Sequence, residues 1–390
     1  MKVLIIIGWV IQILLIIQLV MPYLLMMFRL FNKPRTHHPL SKSKADYAVI
    51  VTAYGQTEQL GAVVTSLLKM NYQNYQVYIV ADNCEVENLN FPADNVTVLR
   101  PPQVLASNVK SHFYAINRFK RAHERLTIID SDNLVHPEYL NELNLIFDKG
   151  FQAVQGVRTA KNLNTPLACL DEAGDIFYRM IDRKLLYEAG SSAALSGSGM
   201  AFTTELYIAC LENRKIDGAG FDKVLQYELL VRDHVIAFSE KAVVLDEKTS
   251  KTGQLVKQRS RWINTWFKYA GLGLRLFILS VKRPNLNKLL FSMMLLRPPL
   301  FILIGGALVC FVINLFFNVG MAIVWGGVLA GFGIMVAYSL YYFKADQKIY
   351  RSLISAPKFV AYQLIALVKA KRANKLSVAT EHYYDKEPLQ

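Results

Sequence analysis

Leu126-Thr127-Ile128-Ile129-Asp130-Ser131-Asp132-Asn133 decides how this chain is read. A short apolar, β-branched run between polar segments reads as a buried strand of an α/β sheet. Residues i and i+2 of an extended chain face the same way, so Asp130 and Asp132 aim their carboxylates at one point beyond the strand end. In an open α/β sheet that edge is where ligands bind. Hard carboxylate oxygens suit Mg²⁺ or Mn²⁺, which keeps some waters and completes its shell from a diphosphate. A lone Asp-x-Asp is more readily a turn or a helix cap. The rest of the chain must therefore supply the context.

Upstream, strands and helices alternate. Tyr47–Thr52 is an apolar strand leading into Ala53-Tyr54-Gly55. Thr57 is placed to cap a helix whose apolar stripe is Leu60, Val63, Val64, Leu67 and Leu68. Gln76–Ala81 reads as a second strand ending at Asp82, Val96–Leu99 as a third, and 109–122 as a helix. This alternation predicts a mostly parallel, doubly wound, Rossmann-like sheet with helices on both faces. Thr52, Tyr54, Asp82, Asp130 and Asp132 then share one edge. Downstream, Ser196-Gly197-Ser198-Gly199 is a small-residue loop, read alone as a turn. Asp222 opens a helical segment, and Val235–Phe238 and Ala242–Leu245 are short strand candidates.

Composition points to a membrane. The 390 residues are 53% hydrophobic, mean hydropathy is +0.24, and 44 Lys+Arg against 30 Asp+Glu give a net charge of +14. Many basic residues sit beside hydrophobic spans, and no zinc-finger or RNP-like spacing occurs. The charge is therefore assigned to a membrane surface and an anionic substrate, not to nucleic acid. Residues 1–28 form an uncleaved anchor, followed over 29–45 by Arg29, Lys33, Arg35, Lys42 and Lys44, which place the next domain on the cytoplasmic side. Residues 46–264 form the α/β domain and 265–288 an interfacial helix. Spans follow at 289–317, bent or broken at Pro298-Pro299, and at 321–343. Residues 344–390 remain as a cytosolic or interfacial segment. Cys84, Cys169, Cys210 and Cys310 are scattered and suggest reduced thiols. His112, His123, His136 and His234 lack metal-ligand spacing. The absence of a Gly-x-Gly-x-x-Gly or phosphate-loop motif argues against dinucleotide and ATPase readings.

Four features make the chain resemble membrane-associated family 2 glycosyltransferases of the GT-A fold: Val49–Tyr54, Ile79–Asn83, Asp130-Ser131-Asp132, and the pentapeptide Gln258-Arg259-Ser260-Arg261-Trp262, which matches the family's Gln-x-x-Arg-Trp. The resemblance implies a nucleotide-sugar donor, UDP-linked by preference, bound by Thr52, Ala53, Tyr54, Asp82, Lys110, Ser131 and Arg261. It implies a metal, Mn²⁺ or Mg²⁺, on Asp130 and Asp132. Acceptor contacts would come from Gly197, Ser198, Gly199, Gln258 and Trp262, with a membrane-interface anchor as the lesser reading of Trp262. The general base maps to Asp222, where Phe221 stands in place of the family's usual Glu, with Asp217, Glu228 and Asp233 as fallback candidates that read more simply as surface or capping residues. The implied activity is inverting sugar transfer to a lipid-linked or polysaccharide acceptor at the cytoplasmic face of an inner membrane. Two alternatives are a processive synthase needing an oligomer or an assembly partner for export, and a non-catalytic membrane scaffold.

Overall fold

The computed structural model describes residues 2–32, 44–85, 89–216 and 218–370. Most of the basic linker, Asp217 and the tail after 370 lie outside them. Helix α1 (Lys2–Phe31) precedes β1 (Tyr47–Tyr54), α2 (Leu60–Leu68), β2 (Tyr75–Asp82), β3 (Val96–Leu99), α3 (Asn108–Ile116), β4 (Arg125–Asp130), β5 (Leu134–Val135), α4 (Tyr139–Phe147) and β6 (Ala153–Ala160). Helix α5 (Pro166–Tyr178) continues through a π-helical turn, Arg179–Leu185, into α6 (Leu186–Glu188). Then come β7 (Met200–Thr203), α7 (Thr204–Leu211), α8 (Phe221–Val231) and β8 (Ile236–Asp246). The remaining elements are α9 (Thr252–Lys282), α10 (Leu286–Leu296), α11 (Leu300–Phe317), α12 (Val319–Tyr342), α13 (Gln347–Ser352) and α14 (Ala356–Lys369).

One sheet runs β3-β2-β1-β4-β7-β6-β8-β5. The first four strands are parallel, whereas β7 runs against both β4 and β6, and β5 against β8. The sheet is therefore mixed, with the expected parallel half at one side. Period-two alternation sorts the core. Ile50, Tyr78, Ile128 and Phe202 face one layer, while Val49, Val51, Ile79 and Ile129 face the other, against α2 and α4.

Several sequence expectations change. The two short strands over 235–238 and 242–245 are one strand, β8, which bulges where Gln155 pairs with Phe238 and Val157 with Val243. Polar Ser239-Glu240-Lys241 occupies that bulge, so the pattern reads as a break. The bulge closes on Gly156, where a Cβ would lie 2.4 Å from the Ala242 carbonyl oxygen. Helix α2 begins after Gln59, and Thr57 accepts Leu60 N–H through its backbone instead of capping with its side chain. Helix α3 ends at Ile116, well short of 122.

The 264/265 boundary falls inside α9, a continuous helix of 31 residues. The segment expected over 289–317 is two helices, because Arg297-Pro298-Pro299 interrupts α10 and α11. Among the described residues, three helices are long and apolar enough to cross a membrane: Ile5–Phe31, Leu300–Phe317 and Val319–Tyr342. They pack together around a polar knot in which Asn314 and Trp325 both donate to Gln12 Oε1 at 2.9 Å.

Candidate active site

Strand pairing assembles the edge. Thr52 pairs with Asp130 on one side of β1, and Tyr54 pairs with Asp82 on the other. Because β7 runs antiparallel to β4, with Met200 opposite Ile128, the Ser196–Gly199 loop arrives at the same edge. Gly199 N–H donates to Ile128 O at 2.9 Å, and Asp130 N–H donates to Ser198 Oγ at 3.1 Å. Gly197 and Gly199 take left-handed φ values of 87° and 66°. At Gly199 a Cβ would meet Val244 Cγ2 at 2.4 Å, so no larger residue fits there. Ser198 is fully buried and braces the Asp130 strand end, while the Cβ position of Gly197 faces open space.

Asp132 is buried and Asp130 half-buried. Lys161 Nζ donates to the Asp132 carbonyl at 3.3 Å and to Gln59 Oε1 at 2.7 Å, tying the strand-end turn to α2. Arg261 is largely withdrawn from water. Burial pulls its pKa down, and the carboxylate of Asp130 opposes that shift. The pentapeptide arginine and the Asp-x-Asp are thus electrostatic neighbours across the fold. Gln258 Oε1 lies 3.4 Å from Thr249 Oγ1, and the Arg259 guanidinium covers the half-exposed Trp262 ring at 4.2 Å.

Asp82 is buried, and its two carboxylate oxygens accept Leu105 N–H at 2.9 Å and Ala106 N–H at 2.8 Å. It therefore anchors the loop that leads into α3, whose Ser107 cap sets Lys110 in the first turn with an exposed side chain. Tyr54 and Ser131 are partly open at the edge, whereas Ala53 is buried. Asp222 sits in the first turn of α8, 4.0 Å from Lys223 Nζ. Gly220, at φ 101°, presses that helix start onto α9, where a Cβ would meet Tyr269 and Thr265 at 2.5 and 2.6 Å. Thr265 is one turn beyond Arg261 and donates to its carbonyl at 2.8 Å. Helix α9 is thus the shared wall of the Asp222 and Arg261 regions.

Sequence reading missed a buried charge network behind this edge. Arg158 donates to Ser196 O at 2.6 Å and to Asp246. Burial would lower its pKa, but the carboxylates of Asp246, Asp175 and Asp130 outweigh that and raise it. Lys248 Nζ lies 3.1 Å from both Glu172 and Asp246 and also pairs with Asp175. Arg179 pairs with Glu172 at 2.9 Å, and Arg259 with Asp171. Gln155, fully buried, holds the loop from within. It accepts Ser196 N–H at 2.9 Å and donates to the carbonyls of Ser198 and Gly199 at 3.2 Å. The legible signal was Asp246-Glu247-Lys248 ending a strand, a run of charge too short to stand out.

A family model described as glycosyltransferase-like family 2 matches residues 45–265. The chain belongs to glycosyltransferase family 2. Among solved structures it is similar to the mannosyltransferase PcManGT from Pyrobaculum calidifontis, in complex with GDP-Man and Mn²⁺. That match has a TM-score of 0.56 and 13% identity, and covers 92% of this chain and 99% of that one. It is also similar to S. aureus TarS residues 1–349 (TM-score 0.39, 15% identity, 60% of this chain and 65% of that one). No curated protein matches the sequence. The fold is that of the GT-A glycosyltransferases: a mixed α/β sheet with apolar helices near both ends of the chain.

Proposed function

We propose that this family 2 glycosyltransferase is a metal-assisted, inverting enzyme. It moves a sugar from a nucleotide donor, UDP-linked by preference, to a lipid-linked or glycan acceptor at the cytoplasmic face of the membrane. The observation that carries the reading is the strand edge that brings Thr52, Asp82, Asp130 and the Ser196–Gly199 loop together, with Arg261 of the pentapeptide helix near enough to feel the Asp130 charge.

The donor set suits a divalent cation. Asp130 and Asp132 give two hard oxygens at a strand end, and no group of three or more His, Cys, Asp or Glu placed to hold a metal occurs among the described residues. A cation held there by two carboxylates would draw its other ligands from water and the donor diphosphate. When bound, it would stabilise the charge that grows on the leaving diphosphate. The chain's own groups do the rest. Arg261 offers a planar guanidinium to the diphosphate oxygens. Asp82 holds the 105–106 loop beside the donor, and the Ser196–Gly199 loop lets the acceptor approach the backbone at Gly197. Asp222 takes the proton from the acceptor hydroxyl as that oxygen attacks the anomeric carbon. One displacement converts an α-linked donor into a β-linked product.

The test is nucleoside diphosphate release by detergent-purified protein across a panel of nucleotide sugars, with Mn²⁺, Mg²⁺ or chelator, and a membrane-lipid extract as acceptor source. Release is expected to need the cation and to fall at least about a hundredfold in Asp222→Asn. Full activity in that variant would refute the base assignment. Retention of anomeric configuration in the product would refute single displacement. Donor binding without turnover under all conditions would favour the scaffold alternative.

A further inference from the structure

Helix α9 carries the Gln258–Trp262 pentapeptide in its first half and an unpartnered face in its second. Phe267, Leu274, Ile278 and Val281 are exposed, Phe267 by 56% and Val281 by 62%, and they repeat at the spacing that forms one stripe along a helix. Beside that stripe, Lys268, Arg275 and Lys282 recur about two turns apart and are also exposed, forming a second, wholly basic stripe. No Asp or Glu occurs anywhere between Glu247 and Asp346, so α9 to α12 carry positive charge only. Asp233, which reaches the turn between α9 and α10, is engaged by Lys288 Nζ at 2.8 Å.

The position of this face is set by α10, which folds back along α9. A Cβ at Gly273 would lie 3.0 Å from Leu295 and 3.1 Å from Leu296. The next residues, Arg297-Pro298-Pro299, pass the chain into α11, one of the helices apolar enough to cross a membrane. That junction is clamped, because Arg297 donates to Asp182 and lies over the Tyr178 ring at 5.4 Å. The middle of α9 therefore lies beside the point where the chain would enter the bilayer.

We propose that the second half of α9 lies on an anionic lipid surface, with the Phe267–Val281 stripe at the acyl boundary and Lys268, Arg275 and Lys282 on lipid phosphates. An apolar stripe alone would fit a neutral bilayer or another protein. The basic stripe running parallel to it, with no acid in α9 to α12 themselves, selects the anionic leaflet. The consequence for the site is mechanical. Lipid charge sets the depth and tilt of the helix that holds Gln258, Arg261 and Trp262, and so presents the site to acceptors arriving from the membrane. The lipid contact does not rest on the transferase reading, and its test reads lipid, not catalysis.

The test uses the full chain, with photoreactive benzoylphenylalanine in place of Phe267, in nanodiscs of phosphatidylcholine containing about a third phosphatidylglycerol. After irradiation, adducts are identified by mass. Each basic residue at an anionic surface favours binding about fivefold, so three give a preference on the order of a hundredfold at full engagement. The expected result is phosphatidylglycerol adducts enriched at least about tenfold over their share of the disc, with the enrichment lost in Lys268→Gln/Arg275→Gln/Lys282→Gln. Raising salt on the otherwise unsubstituted chain should erase the enrichment too, which covers failure of the triple variant to fold. Adducts in bulk lipid proportion would overturn the proposal. So would adducts to a second copy of the chain, or an enrichment that survives both neutralisation and salt.

Discussion

The carboxylates at the end of β4 and those along α5 are the same chemical group in opposite surroundings. Asp130 is only half-buried at a sheet edge, and the guanidinium groups of Arg158 and Arg261 feel its charge from other elements. Asp171, Glu172 and Asp175 are built into the interior or its margin, each paired with Lys248, Arg179 or Arg259. The edge can accept a ligand because it lies at the open carboxyl ends of the parallel strands. The network has spent its charges on holding β6, β8, α5 and α9 together. Burial alone would raise the Asp246 pKa, yet Arg158 and Lys248 bring it below the usual carboxylate range. The same balance depresses Asp175, chiefly through Lys248 and then Arg158. Strong perturbation thus marks the structural cluster, so pKa shifts by themselves do not locate catalysis in this molecule.

Substitution separates the two regions most sharply. Lys248→Met removes the cation shared by Glu172, Asp175 and Asp246 and takes from Asp175 its ion pair, and should cost roughly 3–5 kcal/mol of stability, read as a large fall in thermal midpoint in detergent. Asp132→Ala should leave stability within about 1 kcal/mol of the unsubstituted protein while cutting turnover by about a thousandfold, since a Lewis acid contributes several kcal/mol to the transition state. If Asp132→Ala melts as early as Lys248→Met, the contrast between edge and network fails.

Acid probes the comparison next, with His112 as the buried group that lacks a charged partner. Burial holds its pKa down to about 3, and Nδ1 lies 2.6 Å from the Tyr207 hydroxyl. The unfolded chain takes up a proton near pH 6.5 and the folded protein does not. Its contribution is complete above that value and is lost as pH falls toward the folded pKa. Going from pH 7 to pH 5 should cost about 2 kcal/mol, and His112→Gln should flatten the slope. The depressed Asp175 and Asp246 act lower. Their stabilisation is present above the unfolded carboxylate value, about 3.9, and fades as pH drops through their folded values.

The smallest effect is expected at Trp262. Trp262→Ala removes a half-exposed ring under Arg259 and should change stability by only about 0.5–1 kcal/mol. A much larger loss would place this tryptophan with the network. A large loss of turnover at normal stability would place it with the edge.

The edge was legible for a physical reason. Strand periodicity and the Asp-x-Asp are local, so Thr52, Tyr54, Asp82, Asp130 and Asp132 could be assigned to one side of a sheet before any packing was known. The network was not legible, because Asp171, Glu172 and Asp175 on α5 look like ordinary solvent-facing helix charges. Only the approach of β8 and α9, far along the chain, buries them. The β8 bulge was hidden similarly, since polar residues across from Gly156 look like a strand break until the two strands meet.

By itself the sequence determined the apolar spans, the parallel half of the sheet and the residue types at its edge, since each depends on composition or short-period patterning. Tertiary structure alone decided that β7 reverses the sheet beside β4 and that Ser198 is spent bracing Asp130. It also decided that one continuous helix links the pentapeptide to a basic, apolar-striped face. These depend on contacts between segments distant in the chain, and local residue preferences do not encode which distant segment will supply the partner.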